Sequence, residues 1–506
     1  MDYETRIQEL DEVIRLLISL RKGKKIVHCH GVFDLLHIGH IKYFQEAKSM
    51  GDILVVTITP DRFVNKGPSR PIFNEVLRAE AISSLCVVDY VAINEWPTAI
   101  ETIKALKPNF FVKGPDYKDY EQDITGNIQL EEEAVKSVGG KIAFTSGEVF
   151  SSSSLINNHI NSHSSAQKQF ISNLKNQYPL ESVKNYLDHL NKLKVLIVGE
   201  AIIDEYVFCN SIGKSGKEPV LVNQKVSSEK YAGGILAVAN HVSDFCKDVK
   251  VLTYLGDRND DKEFIQHNLN ENIKLESIVK ADSPTILKTR FIDSYTKNKI
   301  MGVYDLNDNI LNEMEEKELN DKLLECIDRY DIVLVVDYGH GLITPCIVDT
   351  LEKNSKYLAV NTQLNSFNIG YHTISKYTNA DYVCVHEGEL RHDYRNRYDT
   401  VEHLTKRLAE RIKCGVITIT RGNAGSVVYK DEKFLECPAF AGKVEDRVGA
   451  GDTLLAITTL CFAANVPEDL TLLLGNLAAA ETVAFTGTGN RLHKVSLLKA
   501  IQTLLK

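Results

Sequence analysis

Two histidines three residues apart, His37 and His40, follow the loop Gly31-Val32-Phe33-Asp34-Leu35-Leu36 and lead into Ile41, Tyr43, Phe44 and Ala47 at helical spacing. The apolar run around Val27 comes just before, so the spacing predicts a strand, a tight loop and a helix N-terminus. Such a helix start binds anions. Its first backbone N–H groups are unpaired, the dipole is positive there, Gly39 allows close approach, and two imidazoles on one face can donate to phosphate oxygens. A second such place is Gly449-Ala450-Gly451-Asp452-Thr453, ahead of an apolar helix over 454–464. There the glycine-flanked turn offers an anion hole, and Asp452 can take a proton from a hydroxyl as it attacks a γ-phosphate.

The elements that must position these residues follow from the periodicity. Apolar runs over 25–29, 53–59, 90–93, 110–112 and 141–145 alternate with helical stretches, which predicts a parallel sheet covered on both faces. His37, His40, Lys113 and the run Ser151, Ser152, Ser153 all fall just after strands, where open α/β sheets bind ligands. Residues 4–21 place Ile7, Leu10, Val13, Ile14, Leu17 and Leu20 at helical spacing, a packing helix or a dimer contact. The polar stretch 157–193 marks a boundary, and strands recur over 194–200, 250–255, 331–336, 357–361, 382–385 and 415–420. The expected organisation is an N-terminal helix over 1–23, a domain over 24–160, a helical linker over 161–193 and a second domain over 194–506.

The first domain's motifs continue in order: Ala47-Lys48 with Gly51-Asp52, a strand reaching Asp61, Lys66-Gly67-Pro68-Ser69-Arg70-Pro71, Glu75 with Arg78, and Val112-Lys113-Gly114-Pro115-Asp116-Tyr117. With HxGH they resemble the cytidylyltransferase-like nucleotidyltransferases and, more closely, the nucleotidyltransferase half of the bifunctional ADP-heptose synthases. The resemblance implies a Rossmann-like HxGH fold in which a substrate phosphate attacks the α-phosphorus of a nucleoside triphosphate. It makes His37 and His40 catalytic, stabilising charge on the bridging and leaving oxygens. It makes Gly31, Phe33, Asp34, Lys48, Asp61, Arg78, Lys113, Ser151, Ser152 and Ser153 nucleotide-binding, with Arg78 on the triphosphate.

The second half resembles the ribokinase/PfkB sugar kinases through Asp446 and Gly449-Ala450-Gly451-Asp452-Thr453, Gly199 with Asp204, Ala232-Gly233-Gly234, Asp337-Tyr338-Gly339-His340-Gly341 and Asn476. The resemblance implies a ribokinase-like fold with Asp452 as base. It puts Asp204 on sugar hydroxyls, Gly233, Gly234 and Asp337 in the substrate and phosphate site, Gly449, Ala450 and Gly451 as the anion hole, and Asn476 by the ATP base. Three positions depart from the family. Ala237 stands where an Asn is usual, the NxxE element reads His386-Glu387-Gly388-Glu389, and the Asp-Pro loop reads Asn361-Thr362-Gln363. Glu389 remains a candidate metal ligand.

Together the halves imply an α/β enzyme of two parallel-sheet domains that phosphorylates a sugar or sugar phosphate with ATP and transfers a nucleotidyl group from ATP or CTP, with Mg2+, to make a nucleotide-activated sugar for surface polysaccharide. The order is the reverse of the heptose enzymes. The alternative is a cytidylyltransferase for a polyol phosphate whose kinase fold only binds or dimerises. A net charge of -9 over 506 residues argues against nucleic acid. Ten scattered cysteines without a CxxC pair read as buried free thiols. An acidic start and the lack of an apolar run near the roughly 18 residues of a membrane helix point to a cytoplasmic protein without a membrane partner. A homodimer is expected by analogy.

Overall fold

Five strands, β1 (Ile26–Gly31), β2 (Ile53–Ile58), β3 (Tyr90–Ile93), β4 (Phe110–Lys113) and β5 (Lys141–Phe144), run parallel in the order β3-β2-β1-β4-β5. β2, Ile-Leu-Val-Val-Thr-Ile, is buried at every position, as expected of a β-branched run covered on both faces. Leu10, Val13 and Leu17 cover one face with Ile26, Ile53 and Val55, while Phe44, Ala47, Ala79 and Ile82 cover the other with Val27, Cys29 and Leu54. The strand order reverses between β1 and β4, so the ligand crevice opens at their carboxyl ends.

The computed structural model describes residues 3–68, 70–117, 123, 126–146, 163–258, 261–485, 487 and 492–505. The chain divides into two units, Met1–Ser165 with Leu498–Lys506, and Ala166–Leu497. The helices Ser165–Gln177 and Leu180–Leu190 lie almost wholly in the second unit, and the last residues join the first. The sequence reading instead set 161–193 apart and ran the second domain to 506. The helix expected over 4–21 begins at Leu10, because Ile7 bridges Val91 instead.

In the second unit, β6 (Lys194–Gly199), β9 (Asp248–Gly256), β10 (Ile273–Lys280), β13 (Ile332–Asp337), β14 (Leu358–Thr362), β15 (Tyr382–His386) and β16 (Val416–Thr420) are parallel. β17 (Ser426–Lys430) and β18 (Lys433–Cys437) extend this sheet antiparallel. A separate four-stranded sheet, β7 (Ala201–Lys214), β8 (Leu221–Gly234), β11 (Ile286–Asp293) and β12 (Lys299–Asp305), has the order β12-β11-β7-β8 and is mostly antiparallel. The sequence reading missed it, because strands as exposed as β8 carry no apolar run. Cys86 and Cys346 are exposed, against the reading of all ten thiols as buried. Among the described residues no helix is long and apolar enough to cross a membrane.

Candidate active sites

In the first unit the chain leaves β1 through a left-handed residue, Phe33 at φ 50°, whose ring folds back over Gly31. A Cβ at position 31 would come within 2.9 Å of that ring, so the loop requires glycine there. The ring then meets His40 edge-on at 5.4 Å. His37 caps the helix Ile38–Ser49, its Nδ1 accepting from the Gly39 N–H at 3.1 Å, which leaves the proton on Nε2. The two imidazoles stack with centroids 3.9 Å apart and 24° between planes. Burial, then His37 and Lys66, push the pKa of His40 down to about 3, and burial lowers that of His37. Both are therefore neutral at physiological pH, and the Leu35 carbonyl accepts a hydrogen bond from the His40 ring.

Behind them, His28 Nε2 and His30 Nδ1 both meet Thr57 Oγ1, at 2.8 and 2.9 Å, and His30 Nε2 meets Thr59 Oγ1 at 3.2 Å. Burial and Lys113 hold His28 at about 3. The sequence reading passed over this pair, although alternate positions on one strand put both rings on one face.

Two expected phosphate contacts have other work. The Arg78 guanidinium is wholly buried and donates to Phe73 O (3.0 Å), Val32 O (2.5 Å), Thr59 O (2.8 Å) and Asp61 Oδ1 (2.5 Å). It ties the binding loop to β2 rather than facing a triphosphate. Asp61 is its partner and also accepts from Glu75 N at 3.1 Å. Lys48 lies in the last turn of its helix, a length of helix away from His37, and donates to Asp89 Oδ2 at 2.5 Å and Asp52 O at 2.6 Å. Asp34 holds the following loop, accepting from Ile72 N (2.7 Å) and Phe73 N (3.1 Å) with Arg70 at 3.5 Å. Lys113 stands at the end of β4 beside the crevice, paired with Glu131 at 2.8 Å. Ser151, Ser152 and Ser153 lie outside the described residues.

In the second unit, Gly449 at φ 86° opens the helix Ala450–Ala463, leaving the backbone of Gly449, Ala450 and Gly451 accessible. Asp452 is buried in the first turn and accepts from Gln363 Nε2 at 2.5 Å. Burial pushes its pKa up to about 6, with Gln363, Tyr338 and Lys288 pulling the other way and Asp204 adding to the rise. A carboxylate so poised suits a base working near neutrality. Asp204 reaches in from β7, and a Cβ at Gly233 would come within 2.1 Å of its Oδ2, so Gly233 makes room for it. Gly234, at φ 56°, turns the chain into the next helix.

Lys288 and Arg290, two apart on β11, point into the same place and were missed; their alternation on a strand is the signal that could have found them. Arg290 pairs with Asp204. Lys288 makes no ion pair among the described residues; it lies 5.7 Å from the Tyr304 and Tyr338 rings, and burial lowers its pKa. Three expected ligand residues are occupied elsewhere. Asp337 is fully buried, binding Lys376, the Tyr377 hydroxyl at 2.9 Å and Gly339 N at 3.1 Å. Asn476 donates to Ser426 Oγ (2.6 Å) and Leu472 O (2.8 Å). Glu389 accepts from His386 N (2.6 Å) and Leu364 N (3.1 Å), capping its own helix rather than standing open to a metal.

Known proteins divide along the same lines. Residues 28–162 match the family model described as Cytidylyltransferase-like. The bifunctional protein HldE of Aliarcobacter butzleri is 44% identical over 143 residues, 27% of this chain and 29% of that protein. That of Syntrophotalea carbinolica is 38% identical over 146 residues, 28% of each. The chain thus spans under a third of the length of these curated relatives, which match its N-terminal part. Crystal structures of phosphofructokinase-2 from Escherichia coli, with potassium and with substrates and products, share the fold of the second half. Their TM-scores are 0.52 and 0.51 at 17% and 15% identity, covering 62% of this chain and all of those chains. Residues 192–495 match the model for the pfkB family carbohydrate kinase, and with most of its length inside that match the chain belongs to this family, with a cytidylyltransferase-like domain in front.

Proposed function

We propose that the second unit transfers the γ-phosphoryl group of ATP to a sugar or sugar phosphate, and that the first joins the resulting sugar phosphate to a nucleotide from ATP or CTP, releasing pyrophosphate. The product would be a nucleotide-activated sugar for surface polysaccharide. The observation that carries this reading is the pairing in one chain of two helix starts, each with a matched group beside it: two neutral imidazoles in one and a carboxylate near pKa 6 in the other.

In the first site the acceptor phosphate attacks in line, without a covalent intermediate. Nε2 of His37 donates to an oxygen on which charge grows, with the His40 ring stacked on it, at a helix start that favours anions. In the second, Gln363 orients Asp452, which takes the acceptor hydroxyl proton while the N–H groups of the Gly449 turn meet the transferred group. Lys288, without an ion pair among the described residues, favours an acceptor that carries an anionic group, because such a group would offset the burial that lowers its pKa. Magnesium would travel with the triphosphates. No group of three His, Cys, Asp or Glu side chains among the described residues could enclose it, so no side chain is assigned to it. The reading also places the protein in the cytoplasm, as a homodimer.

A second reading, a cytidylyltransferase for a polyol phosphate with a retired kinase fold, is favoured by the occupation of Asp204 by Arg290 and by Ala237. ADP and pyrophosphate should be scored separately with ATP or CTP and a panel of sugars, sugar phosphates and polyol phosphates. ADP from one acceptor followed by pyrophosphate supports the two-step reading. Pyrophosphate alone, with CTP and a polyol phosphate, supports the second, and neither product from any acceptor refutes both.

A further inference from the structure

The far end of the chain returns to the first unit. Leu498–Lys506, the end of the helix Lys494–Leu505, belongs to that unit, and Ala500 packs so closely on Gly67 that a Cβ there would lie 3.1 Å from the Ala500 Cβ. One turn face brings Lys499 to the same loop, its Nζ donating to Asn65 Oδ1 at 3.1 Å. Asn65 adjoins Lys66, whose charge acts on His40, and Lys499 is close enough to Asp123, Lys113 and Glu131 to feel all three.

Lys499 is oddly provided for. Its ammonium is half-buried, yet its one hydrogen-bond partner among the described residues is a neutral amide, and it forms no ion pair among them. Of the two carboxylates whose charge reaches it, Asp123 makes no ion pair with it and Glu131 is already paired with Lys113 at 2.8 Å. Burial outweighs the pull of those carboxylates on the ammonium, and a partly desolvated cation without an ion pair costs stability, so a purely structural position would be better filled by an apolar side chain. A bound polyanion removes that cost, and Lys66, Lys113 and Lys499 all lie about the crevice where the HxGH helix begins.

We propose that Lys499 is a phosphate-binding residue of the nucleotidyl-transfer site, supplied by the last helix of the chain. This rests on the reading of the first unit as a nucleotidyltransferase. The phosphate it holds belongs either to the nucleoside triphosphate or to the acceptor. Either way, one ammonium from the carboxyl end of the chain completes a site whose other residues lie within its first third.

The test uses the full chain with Lys499→Gln, Lys499→Met and Lys499→Arg. Pyrophosphate release is followed with the triphosphate varied at saturating acceptor, then the reverse. ADP formation by the second unit serves as the internal control, and the fluorescence of Trp96, the one tryptophan, checks the fold of the first. Loss of one charge-assisted hydrogen bond should raise one KM by about tenfold in both neutral variants, with kcat little changed and Lys499→Arg recovering most of it. Which KM rises identifies the phosphate. Titration with inorganic pyrophosphate should show weaker binding to the neutral variants if the triphosphate is held. Unchanged KM values in both neutral variants, with pyrophosphate release still lost in His37→Ala, would overturn the role of Lys499 and leave the reading standing. A wild-type chain releasing no pyrophosphate would overturn both.

Discussion

Replacing Arg78 with Met separates its two conceivable roles. Met keeps an unbranched stem of similar length but removes every donor, stranding Phe73 O, Val32 O, Thr59 O and one oxygen of Asp61. Each buried acceptor left unmade costs about 1–3 kcal/mol, and breaking a buried charge pair costs about 3–5 kcal/mol. Asp61 is 37% exposed and can regain water, and the terms are not additive, so about 3–5 kcal/mol in all is the working figure. At a urea slope of about 2 kcal/mol/M this moves the midpoint down by about 1.5–2.5 M. Trp96 packs against the first unit's core, so its fluorescence reads that unit's unfolding. An unchanged midpoint together with a raised KM for the triphosphate would refute the reasoning and restore Arg78 as a ligand.

Other outcomes follow from the same geometry. His37→Ala should lower the turnover for pyrophosphate release by more than about tenfold with little loss of binding, because the missing donor acts on developing charge; unchanged turnover would remove the mechanism. Asp452→Asn should abolish ADP formation and leave pyrophosphate release intact, which assaying both products on one preparation checks. Since the base must be ionised and its pKa is raised to about 6, wild-type ADP formation should fall as pH drops through about 6, and a flat profile from pH 5 to 7 would remove Asp452 as base. Lys48→Met should leave the triphosphate KM unchanged and cost under about 1 kcal/mol, because its pair with Asp89 is about one-third exposed; a raised KM would put Lys48 back in the site.

Much of the scaffold was legible in the sequence because its signals are local. Strands buried on both faces, such as β2 and β13, read as continuous apolar runs, and the two helix starts announce themselves through glycines with His37, His40 or Asp452 attached. The four-stranded sheet was hidden because half-exposed strands need no such run.

The sequence by itself determined the fold class, the family and the two glycine-marked helix starts, since each follows from residue types at short spacing. Only the tertiary structure decided what individual charged groups do there. Arg78, Asp337 and Asn476 have residue types suited to ligand binding, but burial brings them acceptors and donors, several from distant segments, that take most of their hydrogen bonds. The opposite happened to Lys288 and Lys499. Neither carries a motif, and folding buries each in part without an ion pair among the described residues. The physical reason is that an ionic group's role depends on its neighbours and its exposure to water, and both are set by contacts between segments far apart in the chain.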